Sequence, residues 1–444
     1  MVARTLARWV AWLVAVAALA VVAVVGAPAA TANTPPATAD APPATTTGPP
    51  ATTTVPPAAK HTKPPPASTP AAPALGVKAA ALIEASTGQM LYGENADAQL
   101  PIASATKLMT ALVTLHHTRL SQMFTDPLFY PAAEDSQIHL VPGEQMSVHD
   151  LLIAMMLPSA DDAAEDLAYN VGHHSVPRFL AMMNARARQL GLTHTHYTTP
   201  IGLDTPDNYS SAGDLVTLAR YVLQTEPFFR AVVRLPRYTL RTGNHPRDVV
   251  NLNDLVAKHS WINGVKTGHT LDAGYVLVVS GTQGRMTLIG AVLGAPSEAG
   301  RDASALALLN YGFANFQLRT PVRTGTVLAH PAVTNKPQAH VRLVATETYT
   351  SVFPRSAKVR LRVRAPAQLK GPLPRGTVVG SVQVLDGRKV VKRIPLRLAA
   401  AVPEVKVSTA MGSVVLLSVT LLGLVVAVGA AIGLTMFWRE WHRG

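Results

Sequence analysis

Residues 102–110 read IASATKLMT, which places Lys107 three residues after Ser104 inside an apolar run. The apolar residues that follow recur at helical spacing and predict a helix here. Residues three apart share one face of a helix, so the Lys107 amine would lie near the Ser104 hydroxyl. A lysine on such a helix is usually a solvated surface residue, and the spacing is common by chance. The other motifs of the chain must therefore show whether Ser104 and Lys107 form a functional pair or Lys107 is a solvated surface residue.

The chemical interest of this pair is that a serine hydroxyl is a weak nucleophile and needs a neighbouring base. A lysine can be that base when burial or nearby positive charge disfavours its ammonium form. The apolar residues that flank Lys107 would provide such burial. Ser104 and Lys107 are therefore a candidate nucleophile and its base.

Two further motifs follow in order along the chain. The first is LPSADDAAEDLA (residues 157–168), which contains Ser159, and the second is INGVKTGHTLDAGY (residues 262–275), with Lys-Thr-Gly at positions 266–268. Lys-Thr-Gly before a hydrophobic strand is much rarer by chance than Ser-x-x-Lys. Gly268 lets the backbone approach a ligand closely, and an extended edge of this kind can pair with a peptide.

These three motifs, in this order, resemble those of the low-molecular-weight penicillin-binding proteins, the D-alanyl-D-alanine carboxypeptidases of peptidase family S11. The resemblance implies an α/β fold: a penicillin-binding/β-lactamase-like catalytic domain with an antiparallel sheet flanked by helices, then a small all-β domain and one transmembrane helix. Four other stretches carry the resemblance: ALIEASTGQMLY (81–92), VPGEQMSVHDLLIAMMLPSADDAA (141–164), TTPIGLD (198–204) and LLNYGFANF (308–316).

The resemblance implies a role for each motif residue in cutting a D-Ala-D-Ala bond. Ser104 would attack the carbonyl and form an acyl-enzyme, Lys107 would take its proton, and Ser159 would relay protons to the leaving amine. A carboxylate attracts a cation and a hydroxyl donor, which suits Lys266 and Thr267 for holding the substrate's terminal carboxylate.

Backbone donors complete the expected site. The resemblance implies an oxyanion hole made by the N–H groups of Ser104 and His269, beside Gly268; one such donor is typically worth about 3–4 kcal/mol in the transition state. β-Lactams resemble the same dipeptide and are expected to acylate Ser104.

One residue departs from the family pattern, because the second motif is usually Ser-x-Asn and here it is Ser-Ala-Asp. Asp161 keeps the shape of asparagine but loses the amide donor and adds a negative charge. It could pair with Lys107 or Lys266, or it could tolerate the asparagine's substrate-binding role. We expect retained but altered activity, with Asp161→Asn matching or exceeding the natural rate.

Composition excludes several other classes of site. The chain has 444 residues, 48% of them hydrophobic, and no cysteine, so thiol nucleophiles, disulfides and thiolate metal sites are excluded. The 15 histidines include no His-Glu-x-x-His motif. The sequence therefore predicts a large core, no metal and no cofactor.

The N-terminal residues have the pattern of an export signal. A basic head, an apolar body and a small-residue site predict a signal peptide over residues 1–32, with an uncleaved anchor as the alternative. Residues 33–74 are mostly proline, alanine and threonine and predict a disordered, extended linker.

The rest of the chain divides by composition into a catalytic domain (75–320), a β domain (321–408), a transmembrane helix (409–437) and a cytoplasmic tail (438–444). The helix is long enough to span a bilayer, and aromatic and basic residues follow it. We therefore expect a single-pass protein of the cell membrane, with the catalytic domain on the extracytoplasmic side.

The β domain carries the positive charge of the chain. Residues 322–399 contain fifteen Lys and Arg against two acidic residues, and residues 358–364 alternate basic and apolar side chains. This face is either merely solvated or a binding surface. Outside the cytoplasm its partners would be anionic wall polymers or lipid head groups and not nucleic acid.

The sequence therefore favours a membrane-tethered serine D,D-carboxypeptidase that trims peptidoglycan stem peptides. A D,D-endopeptidase on the same fold, and a weakly active or non-catalytic protein that binds the wall or senses β-lactams, remain alternatives. A β-lactamase is less favoured, because no loop carrying the glutamate that class A enzymes use for deacylation is recognisable.

Overall fold

The computed structural model describes residues 72–127, 136–404 and 410–442, with side chains of the last segment described from residue 417. The predicted signal peptide and nearly all of the predicted linker lie outside these ranges. The strands up to residue 322 are β1 (Ala79–Glu84), β2 (Met90–Glu94), β3 (Met123–Thr125), β4 (Gln145–Ser147), β5 (Arg237–Leu240), β6 (Arg247–Val250), β7 (Ile262–Thr270), β8 (Gly274–Gln283), β9 (Met286–Ala295) and β10 (Phe316–Val322).

The helices of the same region follow a short 3₁₀ turn at Ala103–Thr106. Several begin at a serine whose side chain accepts a backbone N–H, for example Ser147 from Asp150, which satisfies one of the free donors of the first turn. They are α1 (Lys107–His117), α2 (Val148–Met156), α3 (Asp161–Val171), α4 (Val176–Gln189), α5 (Ala212–Thr225), α6 (Pro227–Val232), α7 (Leu255–Lys258) and α8 (Glu298–Asn315).

The central sheet has five antiparallel strands in the order β2-β1-β9-β8-β7. Strand β1 reads AAALIE and is buried along its whole length, as expected of a strand that is covered on both faces. Side chains of one face pack with α1 to α6 in the larger apolar core, and those of the other face pack with α8. The antiparallel sheet flanked by helices confirms the predicted fold class.

The sheet places β7 beside the Ser-Lys turn. Strand β7 is an edge strand, so one side of its backbone is free of sheet pairing over the Lys-Thr-Gly residues. The turn at Ala103–Thr106 lies against it, and α1 then carries Lys107 into the core, where it is fully buried.

The second domain has strands and no helix over its described residues. Its strands are β11 (Val327–Ala329), β12 (Ala332–Val333), β13 (Lys336–His340), β14 (Leu343–Ala345), β15 (Tyr349–Pro354), β16 (Val359–Arg364), β17 (Gln368–Leu369), β18 (Val378–Asp386) and β19 (Lys389–Leu398). Its main sheet has the order β11-β14-β19-β18-β16, and β15 pairs with β10 across the predicted boundary near residue 320.

Strand β16 differs in one respect from the alternation that the sequence predicts. Its basic side chains are exposed as expected, but the apolar Leu361 and Val363 are also 41% and 37% exposed. The reason is that β16 is the edge strand of its sheet, so its apolar side chains lie at the margin of the domain core.

The described chain ends in one long helix, α9 (Ala410–Trp441). Within it, Leu417–Trp441 has a mean hydropathy of 2.4 over its most apolar window, and that window is not buried against the rest of the protein. By length and composition, this helix is a candidate membrane span.

Candidate active site

The Ser104 hydroxyl and the Lys107 amine lie one turn apart, as the sequence predicts. The distance from Lys107 Nζ to Ser104 Oγ is 2.7 Å, while Ser104 itself is partly exposed. Ala103, just before the serine, has φ 48°, a left-handed conformation that non-glycine residues rarely adopt. Such strain is typical of functional sites, and here it introduces the turn that presents the serine.

Lys107 is surrounded by acceptors. Besides Ser104 Oγ, its Nζ donates to Asp161 Oδ1 at 2.5 Å and to the carbonyl oxygen of Ile201 at 2.8 Å. Lys107 is fully buried, and only 9% of the Asp161 side chain is exposed. An ammonium has three N–H donors, so these acceptors, one of them anionic, favour the protonated form of Lys107.

Ser159 lies opposite, against the first residue of Lys-Thr-Gly. Lys266 Nζ donates to Ser159 Oγ at 2.9 Å and to the Thr267 carbonyl oxygen at 2.9 Å. Ser159 has φ 68° and is 3% exposed, so a strained backbone holds its hydroxyl at this buried position. Burial, together with the positive charges of Lys107 and Arg301, lowers the pKa of Lys266 well below its usual range.

Two glycines permit the close packing around the nucleophile. A Cβ at Gly268 would lie 3.0 Å from the Ser104 nitrogen and 3.0 Å from Ala103 Cβ, and one at Gly202 would lie 2.0 Å from the Ala103 carbonyl oxygen. Any side chain at these positions would push β7 or the 198–204 loop away from the serine.

The remaining predicted residues lie along the same strand. Thr267 is buried, whereas the His269 side chain is exposed and its ring lies 4.0 Å from that of Tyr275, between centroids. The geometry therefore brings Ser104, Lys107 and Asp161 into one hydrogen-bonded group. It places Lys266, which bonds to Ser159, and the Gly268 backbone next to that group.

A family comparison accords with this geometry. Residues 66–297, more than half of the chain, match the family model described as D-alanyl-D-alanine carboxypeptidase. The chain belongs to the D-alanyl-D-alanine carboxypeptidase family. Residues 316–404 match a second model, described as the C-terminal domain of penicillin-binding protein 5. The predicted family resemblance, which covered both domains, is confirmed.

Individual members of this carboxypeptidase family match the chain over different lengths. The D-alanyl-D-alanine carboxypeptidase DacC of Escherichia coli is 32% identical over 342 residues, which cover 74% of this chain and 84% of that protein. The D-alanyl-D-alanine carboxypeptidase of Streptomyces sp. strain K15 is 35% identical over 247 residues, or 51% of this chain and 84% of that protein.

Solved structures agree with the family assignment. Penicillin-binding protein 5 from Haemophilus influenzae superposes with a TM-score of 0.61 at 29% identity, covering 75% of this chain and 99% of that one. The Streptomyces K15 DD-transpeptidase superposes with a TM-score of 0.52 at 34% identity, covering 55% and 98%. The first match therefore extends beyond the catalytic domain, and the second covers a shorter part of the chain.

Several residues of this carboxypeptidase site were not assigned a role from sequence. The Pro200 and Ile201 carbonyls accept from Thr110 and Lys107, so the TTPIGLD loop holds α1 in place through its backbone. The family stretch TTPIGLD marked this loop, but side-chain chemistry gave no sign of backbone acceptors.

Glu165 is a second unassigned acidic group. It lies one turn after Asp161 on α3, and burial together with the negative charge of Asp161 raises its pKa to about 7, although Lys107 acts in the opposite direction. The i, i+4 spacing of Asp161 and Glu165 was visible in the sequence, but their shared burial was not.

Metal coordination finds no support in the described parts of the chain. Among those residues, no group of three or more His, Asp or Glu side chains is placed to hold a metal ion. The described residues of the site supply two serine hydroxyls, two buried amines and the neighbouring carboxyl groups of Asp161 and Glu165.

Proposed function

We propose that this protein is a serine D,D-carboxypeptidase that removes the terminal D-Ala from peptidoglycan stem peptides through an acyl-enzyme at Ser104. The observation that carries the proposal is the 2.7 Å contact between Lys107 Nζ and Ser104 Oγ beside the free edge of β7. A nucleophile, a base and a strand edge that can bind a peptide are the parts that acyl transfer needs.

In the acylation step, Ser104 Oγ attacks the carbonyl carbon of the D-Ala-D-Ala bond while its proton passes to Lys107 Nζ. That transfer requires the neutral amine, so the Asp161 carboxylate, which favours the ammonium, opposes it. The developing oxyanion would be held by the N–H groups of Ser104 and His269, which fixed backbone positions make available without reorganisation.

The terminal carboxylate of the substrate would bind at Lys266 and Thr267. Lys266 is 1% exposed, and its positive charge is disfavoured in the free protein. A bound carboxylate supplies the missing negative charge and therefore favours protonation of Lys266. Substrate binding and proton uptake are linked, and 1/KM should fall as the pH rises above the pKa of Lys266 in the free protein.

The leaving amine takes up the proton that Lys107 accepted from Ser104, which returns Lys107 to the neutral form. Ser159, whose hydroxyl contacts Lys266, would relay this proton. Collapse of the tetrahedral intermediate breaks the C–N bond, releases D-Ala and leaves the Ser104 ester. Water then attacks the ester with Lys107 as the base, which regenerates the serine.

Labelling of the full-length protein in detergent with a fluorescent penicillin tests this proposal, with D-Ala release from a stem pentapeptide measured in parallel. We expect both signals in the natural protein and neither in Ser104→Ala. Labelling that persists in Ser104→Ala would place the nucleophile elsewhere. A cross-linked peptide dimer as second substrate separates carboxypeptidase from endopeptidase activity.

The Lys107–Asp161 ion pair specifically favours one alternative, a weakly active protein that binds the wall or senses β-lactams. If acylation is slow because Lys107 is held as the ammonium, β-lactams would still accumulate on Ser104, but little D-Ala would be released. Stoichiometric labelling without D-Ala release identifies this case.

The candidate membrane helix supports a location for the enzyme. We infer that α9 anchors the protein in the cell membrane as a single span, with the catalytic domain outside and residues 438–444 inside, where the basic tail would favour the cytoplasm. Protease digestion of intact spheroplasts tests this: the catalytic domain should be cleaved while a tag after residue 444 is protected.

A further inference from the structure

A cavity of about 320 Å³ lies in the catalytic domain where the end of α5 and the segment after α6 meet the ends of β1 and β8 and the start of β9. Its most unusual feature is its charge. Four arginines line it: Arg220 on α5, Arg230 on α6, Arg234 just after α6, and Arg285 between β8 and β9.

These arginines have no carboxylate partner among the described residues. Two of them donate only to carbonyl oxygens, Arg220 to Ala85 and Ser86, and Arg230 to Leu223. Arg234 and Arg285 have no side-chain hydrogen bond to any described residue. Several guanidiniums are therefore free to bind an anion in this cavity.

Glu84 is the acidic residue that lines the cavity, and its carboxylate is hydrogen-bonded within the β1–β2 turn. Its carboxylate accepts four hydrogen bonds from the backbone and hydroxyl groups of Ser86 and Thr87. It is 1% exposed, so it closes the β1–β2 turn and is not placed to neutralise four arginines. The cavity keeps a strong excess of positive charge.

The floor of the cavity supplies an independent sign of a ligand. The Ser280 hydroxyl is buried, with the residue 1% exposed, and has no hydrogen-bond partner. Beside it Asn263 donates to Thr282, whose hydroxyl also bonds to that of Thr287. A buried hydroxyl is normally paired, so an unpaired one lining a cationic cavity indicates a missing partner.

We propose that this cavity binds a phosphate group. Guanidinium forks match phosphate oxygens, and a phosphate carries more negative charge and a more three-dimensional set of acceptors than a carboxylate. The four arginines line the cavity together, which suits a tetrahedral anion. The volume is at the lower end of ordinary ligand sites and accommodates a phosphodiester or pyrophosphate.

The cavity is separate from the candidate active site. Asn263 precedes Lys266 by three residues on β7, which corresponds to roughly 10 Å along the strand. None of the lining residues is one to which we assign a role in catalysis or substrate binding. Occupancy of the cavity therefore does not require the proposed reaction, and either proposal can fail without the other.

Titration calorimetry of the full-length protein in detergent with inorganic pyrophosphate tests the site directly. The variant Arg234→Gln/Arg285→Gln removes two exposed guanidiniums that make no side-chain hydrogen bond to a described residue, and we expect at least a tenfold loss of affinity. The matched control is Arg178→Gln/Arg188→Gln on α4, which removes the same charge from exposed positions outside the cavity and should bind as the natural protein does. Equal weakening in both variants, or no binding at all, would overturn the proposal.

Two further measurements make the test specific. Ser280→Ala should weaken pyrophosphate binding severalfold while its melting temperature without ligand stays unchanged or rises, because the unpaired hydroxyl is gone. Citrate should bind more weakly than pyrophosphate at equal ionic strength; equal or tighter binding would assign the cavity to carboxylates. Penicillin labelling of Ser104 in each variant shows that the fold is intact.

The phosphate has two possible sources in a cell envelope, and competition separates them. Displacement of pyrophosphate by short poly(glycerol phosphate) assigns a wall polymer, and displacement by phosphatidylglycerol vesicles assigns a lipid head group. If neither competitor displaces pyrophosphate, the ligand is not an envelope phosphate.

Discussion

Positive charge is placed in opposite environments in the two domains. In the catalytic domain, Lys107 and Lys266 are 0% and 1% exposed, and each is surrounded by specific acceptors. In the β domain, the basic strand (Lys358, Arg360, Arg362 and Arg364) is exposed throughout. Basic side chains are thus in contact with fixed protein acceptors in the first domain and with solvent in the second.

The difference shows what controls each kind of charge. A buried amine responds to the few groups in contact with it, since water does not screen them, and its protonation state becomes adjustable. An exposed arginine is always charged and acts through a field that salt screens over about 8–10 Å. Catalysis is therefore expected in the catalytic domain. In the β domain we expect binding to anions that weakens as the salt concentration rises.

Removing a buried amine should have the largest effect. Lys107→Met deletes the proposed base and leaves Asp161 buried without its ion-pair partner, so we expect acylation by fluorescent penicillin to slow by roughly 1000-fold or more. The control is Lys258→Met, which removes the exposed ion pair with Asp254 and should leave the rate unchanged. A rate within tenfold of the natural protein in Lys107→Met would exclude Lys107 as the base.

A buried carboxyl group without a cationic partner gives the next largest effect, which is on stability. Asp166 is fully buried, and one of its carboxyl oxygens has no hydrogen-bond partner. Burial, and after it the negative charge of Asp126, raises the pKa of Asp166 to about 8. Between its unfolded pKa near 4 and about 8, the folded protein keeps a proton that the unfolded chain releases, so stability falls as the pH rises. Asp166→Asn should therefore stabilise the protein by about 2 kcal/mol at pH 9.

Chemical denaturation at pH 5 and pH 9 measures this effect. The gain in Asp166→Asn should be much smaller at pH 5, because the natural carboxyl is then protonated. The control Asp272→Asn changes an exposed residue and should show no difference between the two pH values. A gain of the same size at both pH values would mean that charge is not its cause.

The anionic partner of Lys107 should have a smaller effect on rate. Asp161→Asn keeps an oxygen that can accept from Lys107 but removes the charge that favours the ammonium. We expect acylation at pH 7 to rise by about five- to tenfold and the pH–rate profile to move to lower pH, since one unit of pKa is a factor of ten. A large drop in D-Ala release would show that the aspartate itself is required.

The exposed charges should have the smallest effect on catalysis. The triple variant Arg360→Gln/Arg362→Gln/Arg364→Gln should release D-Ala from a soluble pentapeptide at the natural rate. Its binding to purified wall polymer or to anionic vesicles should weaken severalfold at low salt and converge with the natural protein at high salt. Unchanged binding at low salt would identify the basic strand as a merely solvated face.

Much of the site was predictable because it rests on local spacing. Ser104 and Lys107 lie one turn apart, and helix geometry alone brings their side chains together. The pairing of Asp161 with Lys107 was one of two partners that the sequence allowed. By contrast, the Ile201 carbonyl and the raised pKa of Glu165 depend on loop placement and burial, which residue types do not encode.

The fold showed the same division. The strands and their alternation follow from hydrophobic patterns, and the family resemblance implied an antiparallel sheet flanked by helices. Neither predicted the strand order β2-β1-β9-β8-β7, which depends on pairing between distant parts of the chain. The arginine cavity had no sequence signal, because Arg220, Arg230, Arg234 and Arg285 are brought together only by the packing of α5 and α6 on the sheet.

The pairing of β1 with β9 joins residues 79–84 to residues 286–295, about two hundred positions later. A strand reading AAALIE cannot be paired on both edges until nearly the whole catalytic domain has been synthesised. Long-range pairing of this kind slows folding and leaves an apolar edge open to other chains in the meantime. Strand β9 therefore completes the central sheet late in synthesis, and until then β1 can be paired along only one of its edges.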